Sequence, residues 1–187
     1  MNNTFLPLCL LVGLFAIASC TNYTAKDLVF PRPVDTSTRP IEIQEKKTYA
    51  IDGVYADNEF DAARLNAFNK DAEGRFHAVI LPENSPINSS PWYAFRLWSD
   101  DNRRIQLVLD YTDYKHRYWP KISKDGKTWQ KLDSTQMQWA PDSVDMILNL
   151  NLGPQKLWVA AQELSTSTDV KNWCDQLAQN PDVKLSQ

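Results

Sequence analysis

Apolar and polar residues alternate through most of the chain beyond residue 47. The clearest run is 103–111, where Ile105, Leu107, Leu109 and Tyr111 fall on one side and Arg104, Gln106 and Asp110 on the other. Successive side chains of a strand point to opposite faces, so this segment offers one face to a core and one to water. The same period recurs at 48–56, 75–81, 92–98, 117–123, 127–132, 145–152 and 156–164, in runs rich in aromatic and branched residues. Turn residues separate them: Pro-Glu-Asn-Ser-Pro at 82–86, Ser-Ser-Pro at 89–91, Asp-Asp-Asn at 100–102 and Asp-Gly at 125–126. Asp125-Gly126 tolerates the positive φ of a tight turn, which predicts that 117–123 and 127–132 pair as an antiparallel hairpin.

Eight short strands at this spacing predict an all-β fold, an antiparallel two-sheet sandwich of jelly-roll type. The period changes near the end of the chain. Val170, Trp173, Cys174 and Leu177 recur at three and four behind a Ser/Thr run able to cap a helix at 166–168, which predicts one short C-terminal α-helix of about three turns.

The first nineteen residues carry no charged side chain, and the apolar run 5–18 is broken by Pro7 and Gly13, too short to span a bilayer as a helix. Residues 1–19 therefore read as a secretory signal peptide. The run ends in Ile17-Ala18-Ser19-Cys20, which resembles the bacterial lipobox, and Cys20 is the expected lipidation site. Thr21 follows it instead of an aspartate, as in lipoproteins passed to the outer membrane of a Gram-negative envelope. The expected location is thus a lipid-anchored position in the cell envelope. Pro31, Pro33 and Pro40 stand among polar residues with only isolated apolar ones, so 20–47 reads as a lipidated cysteine and flexible tether, with the sandwich domain at 48–187. Cys174 is left unpaired and is expected as a small buried hydrophobe.

About 140 residues suffice for one core and leave no room for a second domain. The formal charge is −3 with a pI near 5.4 and both signs mixed, which argues against a nucleic-acid partner.

Chemistry is sparse. The chain has two histidines, His77 and His116, and neither belongs to an H-x-x-E or H-E-x-x-H pattern, so no metal site and no cofactor is expected. His116 among Tyr114, Lys115 and Arg117 is placed to meet an anionic group, although a polar residue where a strand begins is the simpler reading. There is no G-x-S-x-G elbow, and Cys174 has no histidine near it in sequence. Asp110, Asp113, Asp142, Asp145 and Glu163 lie at strand ends, but no pair stands out as glycosidase carboxylates. Ser123-Lys124-Asp125-Gly126-Lys127-Thr128-Trp129 departs from the sialidase Asp-box, since Asp125 and Gly126 are adjacent. It matches an S-x-D-G-x-x-W hairpin of sugar-binding and discoidin-like sandwiches, a signal for fold more than function.

The segments Ser90-Pro91-Trp92-Tyr93-Ala94-Phe95-Arg96-Leu97-Trp98-Ser99, His116-Arg117-Tyr118-Trp119-Pro120-Lys121-Ile122-Ser123 with Asp125-Gly126, and Leu157-Trp158-Val159-Ala160-Ala161-Gln162-Glu163-Leu164 share one resemblance. Phe60-Asp61-Ala62-Ala63-Arg64-Leu65-Asn66 adds to it. Together they resemble the N-terminal, non-catalytic β-sandwich domain of bacterial zinc carboxypeptidases of the cytosolic-carboxypeptidase-like branch. In that family a separate α/β domain carries the zinc ligands and catalytic groups. None of those motifs occurs here, so the resemblance assigns no catalytic residue to this chain. It implies an accessory domain, free-standing or detached, whose partner is a peptidase catalytic domain or a peptide.

Arg and aromatic side chains anchor interfaces because they combine contact area with directed hydrogen bonds. The candidate binding residues are accordingly Arg96, Trp98, His116, Arg117, Tyr118 and Trp119. The alternative function is a carbohydrate-binding module, in which Trp98, Tyr118 and Trp119 would form an exposed, coplanar platform for a glycan.

Overall fold

The computed structural model describes residues 44–82, 90–180 and 182, and within them two sheets face each other across one core. Eleven strands build the sheets: β1 (Thr48–Ile51), β2 (Val54–Asp57), β3 (Ala67–Lys70), β4 (Phe76–Ile80), β5 (Ala94–Ser99), β6 (Arg103–Tyr111), β7 (Lys121–Ser123), β8 (Gln130–Lys131), β9 (Met137–Trp139), β10 (Met146–Leu152) and β11 (Leu157–Ala160). The helix α1 (Ser167–Leu177) follows. The six-stranded sheet has the order β1-β2-β5-β11-β7-β8, and the five-stranded sheet β3-β4-β6-β10-β9.

The alternation in β6 works as expected: Ile105, Leu107, Leu109 and Tyr111 are buried. They meet Val54, Phe95, Leu97 and Val159 of the opposite sheet in one continuous core. Full burial of each large side chain there contributes about 1.5–3 kcal/mol. The longest pairing joins β6 to β10, from Leu109 opposite Met146 to Arg103 opposite Leu152.

The sheets are not wholly antiparallel. β4 and β6 run parallel, Phe76 beside Leu107 through Ile80 beside Tyr111. Between β4 and β6 lies β5 of the other sheet, so the two parallel neighbours are not joined by a hairpin.

Other expectations change in detail. The expected strand 48–56 is a hairpin, because Asp52 and Gly53 adopt φ of 50° and 71° and turn the chain between β1 and β2. Two positive φ values in sequence are what a two-residue hairpin turn of type I′ requires. Strands β3 and β9 arise where none was expected. The segment 117–123 keeps only Lys121–Ser123 as strand and 127–132 only Gln130–Lys131, paired Ile122 to Gln130. Asp125 explains the wider loop: its carboxylate accepts the backbone N–H of Lys127 and of Thr128 at 2.8 and 2.7 Å. Those backbone bonds, with the Ser123 hydroxyl, hold Asp125 well below the usual carboxylate range. The strand expected at 156–164 ends at Ala160.

Ordered contacts reach back to Gln44, whose side-chain oxygen accepts the Leu65 N–H at 3.2 Å. The fully buried Asn58 accepts the Lys47 N–H at 2.7 Å and donates to the Glu45 carbonyl at 2.9 Å. Residues 44–47 are thus bonded to the sandwich. The segments expected as signal peptide, lipidated Cys20 and tether lie, up to residue 43, outside the described residues.

Helix α1 starts at the expected place. The Thr166 hydroxyl accepts the Asp169 N–H at 3.1 Å and the Asp169 carboxylate accepts the Thr166 N–H at 2.9 Å, a reciprocal cap. Its apolar stripe is not buried, however. No residue of the helix is buried, Trp173 is 60% exposed, and the free Cys174 is half-buried instead of lying in a core. Local capping and spacing form the helix, while no surface of the sandwich covers its stripe. Among the described residues no helix is long and apolar enough to cross a membrane.

Candidate functional site

Beyond the end of β6 the chain runs through Thr112–Pro120 before entering β7, and two backbone bonds hold this crossing in place. The His116 N–H donates to the Val144 carbonyl at 2.8 Å, and Leu132 N–H to the Pro120 carbonyl at 2.9 Å. The result is a groove of about 320 Å³ lined by His116, Arg117, Tyr118 and Trp119 on one side and by Ser134, Met137, Gln138, Trp139 and Met146 on the other.

Its floor is His116, only 6% exposed. The ring's Nδ1 lies 3.1 Å from the Tyr111 hydroxyl, and its plane meets Trp139 edge-on at 5.5 Å between centroids and 78°. Burial lowers its pKa to about 4, because the imidazolium loses its water without gaining an anion. His116 is therefore a neutral, packed ring at pH 7, in the crossing before β7 and not where a strand begins.

The walls are tryptophans. Trp119 is 47% exposed and Trp139 51%. The Trp119 indole N–H donates to the Leu132 carbonyl at 2.8 Å, which fixes the ring while leaving its body in solvent. Lys131 stands over it at 5.9 Å. Tyr118 packs against the core, and its hydroxyl meets Ser90 at 2.9 Å and Arg117 at 2.5 Å. Arg117 also lies 4.7 Å from the Tyr118 ring and stays at the rim.

Arg96 and Trp98 lie elsewhere, on the outer face of the six-stranded sheet. Arg96 grips the fully buried Asp57 with both arms, at 2.6 and 2.8 Å, and Lys156 adds a third bond to Asp57 at 2.8 Å. The Arg96 guanidinium also sits 4.9 Å from the Phe60 ring and 5.7 Å from Trp158. Trp98 is flanked by Tyr55, stacked at 5.3 Å and 9°, and by Lys156 at 4.4 Å. Tyr55 belongs to β2 and Lys156 precedes β11, the strands on either side of β5, so each ring face of Trp98 has an internal neighbour. The structure thus gathers His116, Arg117, Tyr118 and Trp119 into one groove and separates Arg96 and Trp98 from it.

His77, on the outer face of β4, lies between two carboxylates, with Nε2 3.1 Å from Asp71 and Nδ1 3.1 Å from Asp110. Burial opposes ionisation of Asp71, but the bonds from His77 and Arg75 prevail and hold its carboxyl well below the usual range. Among the acids considered at strand ends, Asp142 accepts the Val144 and Asp145 N–H and Glu163 the Lys121 ammonium. Asp145 accepts the Tyr111 N–H, yet burial, with the nearby charges of Asp110 and Asp142, raises its pKa above the usual carboxylate value. Among the described residues no three His, Cys, Asp or Glu side chains gather as a metal would require.

The sandwich is shared with parts of solved bacterial proteins. One is a metallo-carboxypeptidase of Burkholderia cenocepacia, at a TM-score of 0.55 and 14% identity, with 68% of this chain aligned to 34% of that one. Another, from Burkholderia mallei and given the designation carboxypeptidase, aligns at a TM-score of 0.53 and 14% identity over 68% of this chain and 33% of its own. This chain spans about a third of the length of either, and at this identity the likeness is one of fold. No protein-family profile and no curated protein matches the sequence.

Trp139 and Met137, which complete the groove, escaped the sequence reading. The available signal was the short alternation Met137-Gln138-Trp139, three residues that pair with β10 from Met146 opposite Trp139 to Leu148 opposite Met137. A strand this short carries too little periodicity to stand out between Asp133 and Pro141.

Proposed function

We propose that this chain is a non-catalytic binding domain, related to the accessory sandwich of a metallocarboxypeptidase, that docks a partner or orients a peptide through the groove between Trp119 and Trp139. The supporting observation is the pair of half-exposed indoles beside the buried His116 and Met146 and the partly buried Met137. Exposed aromatic surface beside a packed apolar floor is the arrangement that desolvates an inserted side chain. Arg117 at the rim supplies a directed donor for a backbone carbonyl or carboxylate. The fold shared with part of the Burkholderia carboxypeptidases favours a role beside a peptidase. We further propose that lipid on Cys20 holds the domain at the cell envelope, a reading that rests on the signal-like segment and lipobox-like run alone.

The test is a displayed peptide library screened against the purified chain, with Trp119→Ala and Trp139→Ala as comparison and a glycan array in parallel. Peptides with an aromatic or aliphatic anchor should bind, and either variant should weaken them by about tenfold or more. Binding only on the glycan array would replace this reading with the carbohydrate module. Peptide binding indifferent to both tryptophans would sink the groove as the site. Labelled fatty acid should enter the chain and be lost in Cys20→Ser; incorporation that persists would remove Cys20 as the anchor.

A further inference from the structure

At the opposite end of β6 from the groove, the first residues of that strand, the β10–β11 connection and Lys124 enclose a pocket of about 530 Å³. Its lining has four cations, Arg103, Arg104, Lys124 and Lys156, three side-chain amides, Asn102, Asn151 and Gln155, and no carboxylate. On a chain of formal charge −3 this is a local inversion of sign.

The partners of each cation decide what remains available. Arg103 donates to Asp101 and to the Asp52 carbonyl, the latter at 2.7 Å. Lys156 is tied to Asp57, which Arg96 also grips, so that trio keeps one positive charge in excess. Asp100 lies close behind Gly53 and Arg103 and offsets part of it. Arg104 and Lys124 are exposed and form no ion pair among the described residues, and the three amides likewise have no internal partner there. A Cβ at Gly153 would lie 2.5 Å from the Asn102 side-chain oxygen, so a larger residue there would push that amide aside.

We propose that this pocket binds a phosphate group, presented by a lipid headgroup or by a soluble phosphorylated molecule. Two unpaired cations match the charge of a phosphate near neutral pH, about −1.5 to −2, whereas a single carboxylate would leave one cation unanswered. The remaining acceptor oxygens of a phosphate suit the amide donors of Asn102, Asn151 and Gln155. Arginine and lysine supply charge-assisted bonds of the strength this requires.

The experiment titrates the full chain with tripolyphosphate and with inorganic phosphate, and sediments it with vesicles of phosphatidylglycerol or of phosphatidylcholine. Arg104→Gln with Lys124→Gln removes the two unpaired cations without breaking an internal bond, and Lys115→Gln with Lys171→Gln makes the same charge change elsewhere. The expected result is that the first double variant weakens tripolyphosphate by about tenfold or more while the second leaves it within about twofold. Stronger sedimentation with phosphatidylglycerol, reversed by tripolyphosphate, identifies a headgroup as the source; tripolyphosphate binding without it identifies a soluble ligand. Equal weakening in both double variants, or no binding of any phosphate probe at millimolar concentration, overturns the proposal.

Discussion

Two aromatic and cationic clusters of this molecule are built from the same residue types and have opposite fates. On the outer face of the six-stranded sheet, Arg96, Trp98, Lys156 and Trp158 converge on Asp57 and satisfy one another. In the groove beyond β6, Arg117, Trp119 and Trp139 surround a neutral histidine and leave half of each indole in water. The difference is one buried anion. Asp57 supplies the charge that locks Arg96 and Lys156 across three adjacent strands, whereas the groove has no carboxylate in its lining, so Arg117 is held only by neutral partners and half of each indole stays in water.

The sharpest way to break this comparison is to remove the anion. Asp57→Ala strands Arg96 against a partly buried surface and should cost about 3–5 kcal/mol in urea unfolding. A loss under about 1 kcal/mol would mean that Arg96 is not committed to the network and is as available as Arg117.

The next effect tests the burial of His116. His116 has its pKa lowered to about 4 in the folded chain against about 6.5 when unfolded, so between those values the unfolded chain binds more protons. Its contribution to stability is complete above pH 6.5, falls as the pH drops toward 4 and is gone below that, with a full span of at most about 3 kcal/mol. Asp71 and Asp125, whose carboxyls are held low, lose their contributions only at lower pH. Unfolding midpoints between pH 7 and 4.5 should therefore slope in the native chain and flatten in His116→Gln. An unchanged slope would place water at the imidazole and undo its burial.

The smallest effect sharpens the other cluster. Gly126 adopts φ of +73° against Trp158, where a Cβ would lie 3.1 Å from the indole nitrogen. Gly126→Ala should cost about 1–2 kcal/mol through the left-handed backbone and the crowded ring. Stability within about 0.3 kcal/mol of the native chain would show that the turn does not pin Trp158.

Much of the fold was legible because period two is strong wherever one face of a strand is buried. β6 and β10 were readable for that reason, and helix α1 for its capping residues. β3 and β9 were not: four and three residues give too few alternations, and tertiary pairing with β4 and β10 makes them strands. The β1–β2 hairpin was hidden because Asp52-Gly53 sits inside an alternating run, and only the pairing of Tyr49 with Ala56 shows the turn. Of the candidate site, the segment 116–119 could be seen as a cluster of exposed aromatics and cations. Trp139 could not, since its contribution depends on its ring meeting His116, 23 residues away in sequence.

The linear pattern was enough to set strand faces, the main core and the helix cap, because these follow from spacing and local backbone chemistry. Which aromatics would be spent inside the molecule was decided only when distant strands met. Asp57 and Lys156 are 99 residues apart, and nothing local announces that one will neutralise the other. The parallel run of β4 beside β6 is likewise a product of two passages between sheets, and the groove and the cationic pocket exist because the ends of one nine-residue strand collect different loops. Side-chain type is a property of position in the chain, while burial, pairing and remaining charge belong to the neighbours that tertiary contact supplies.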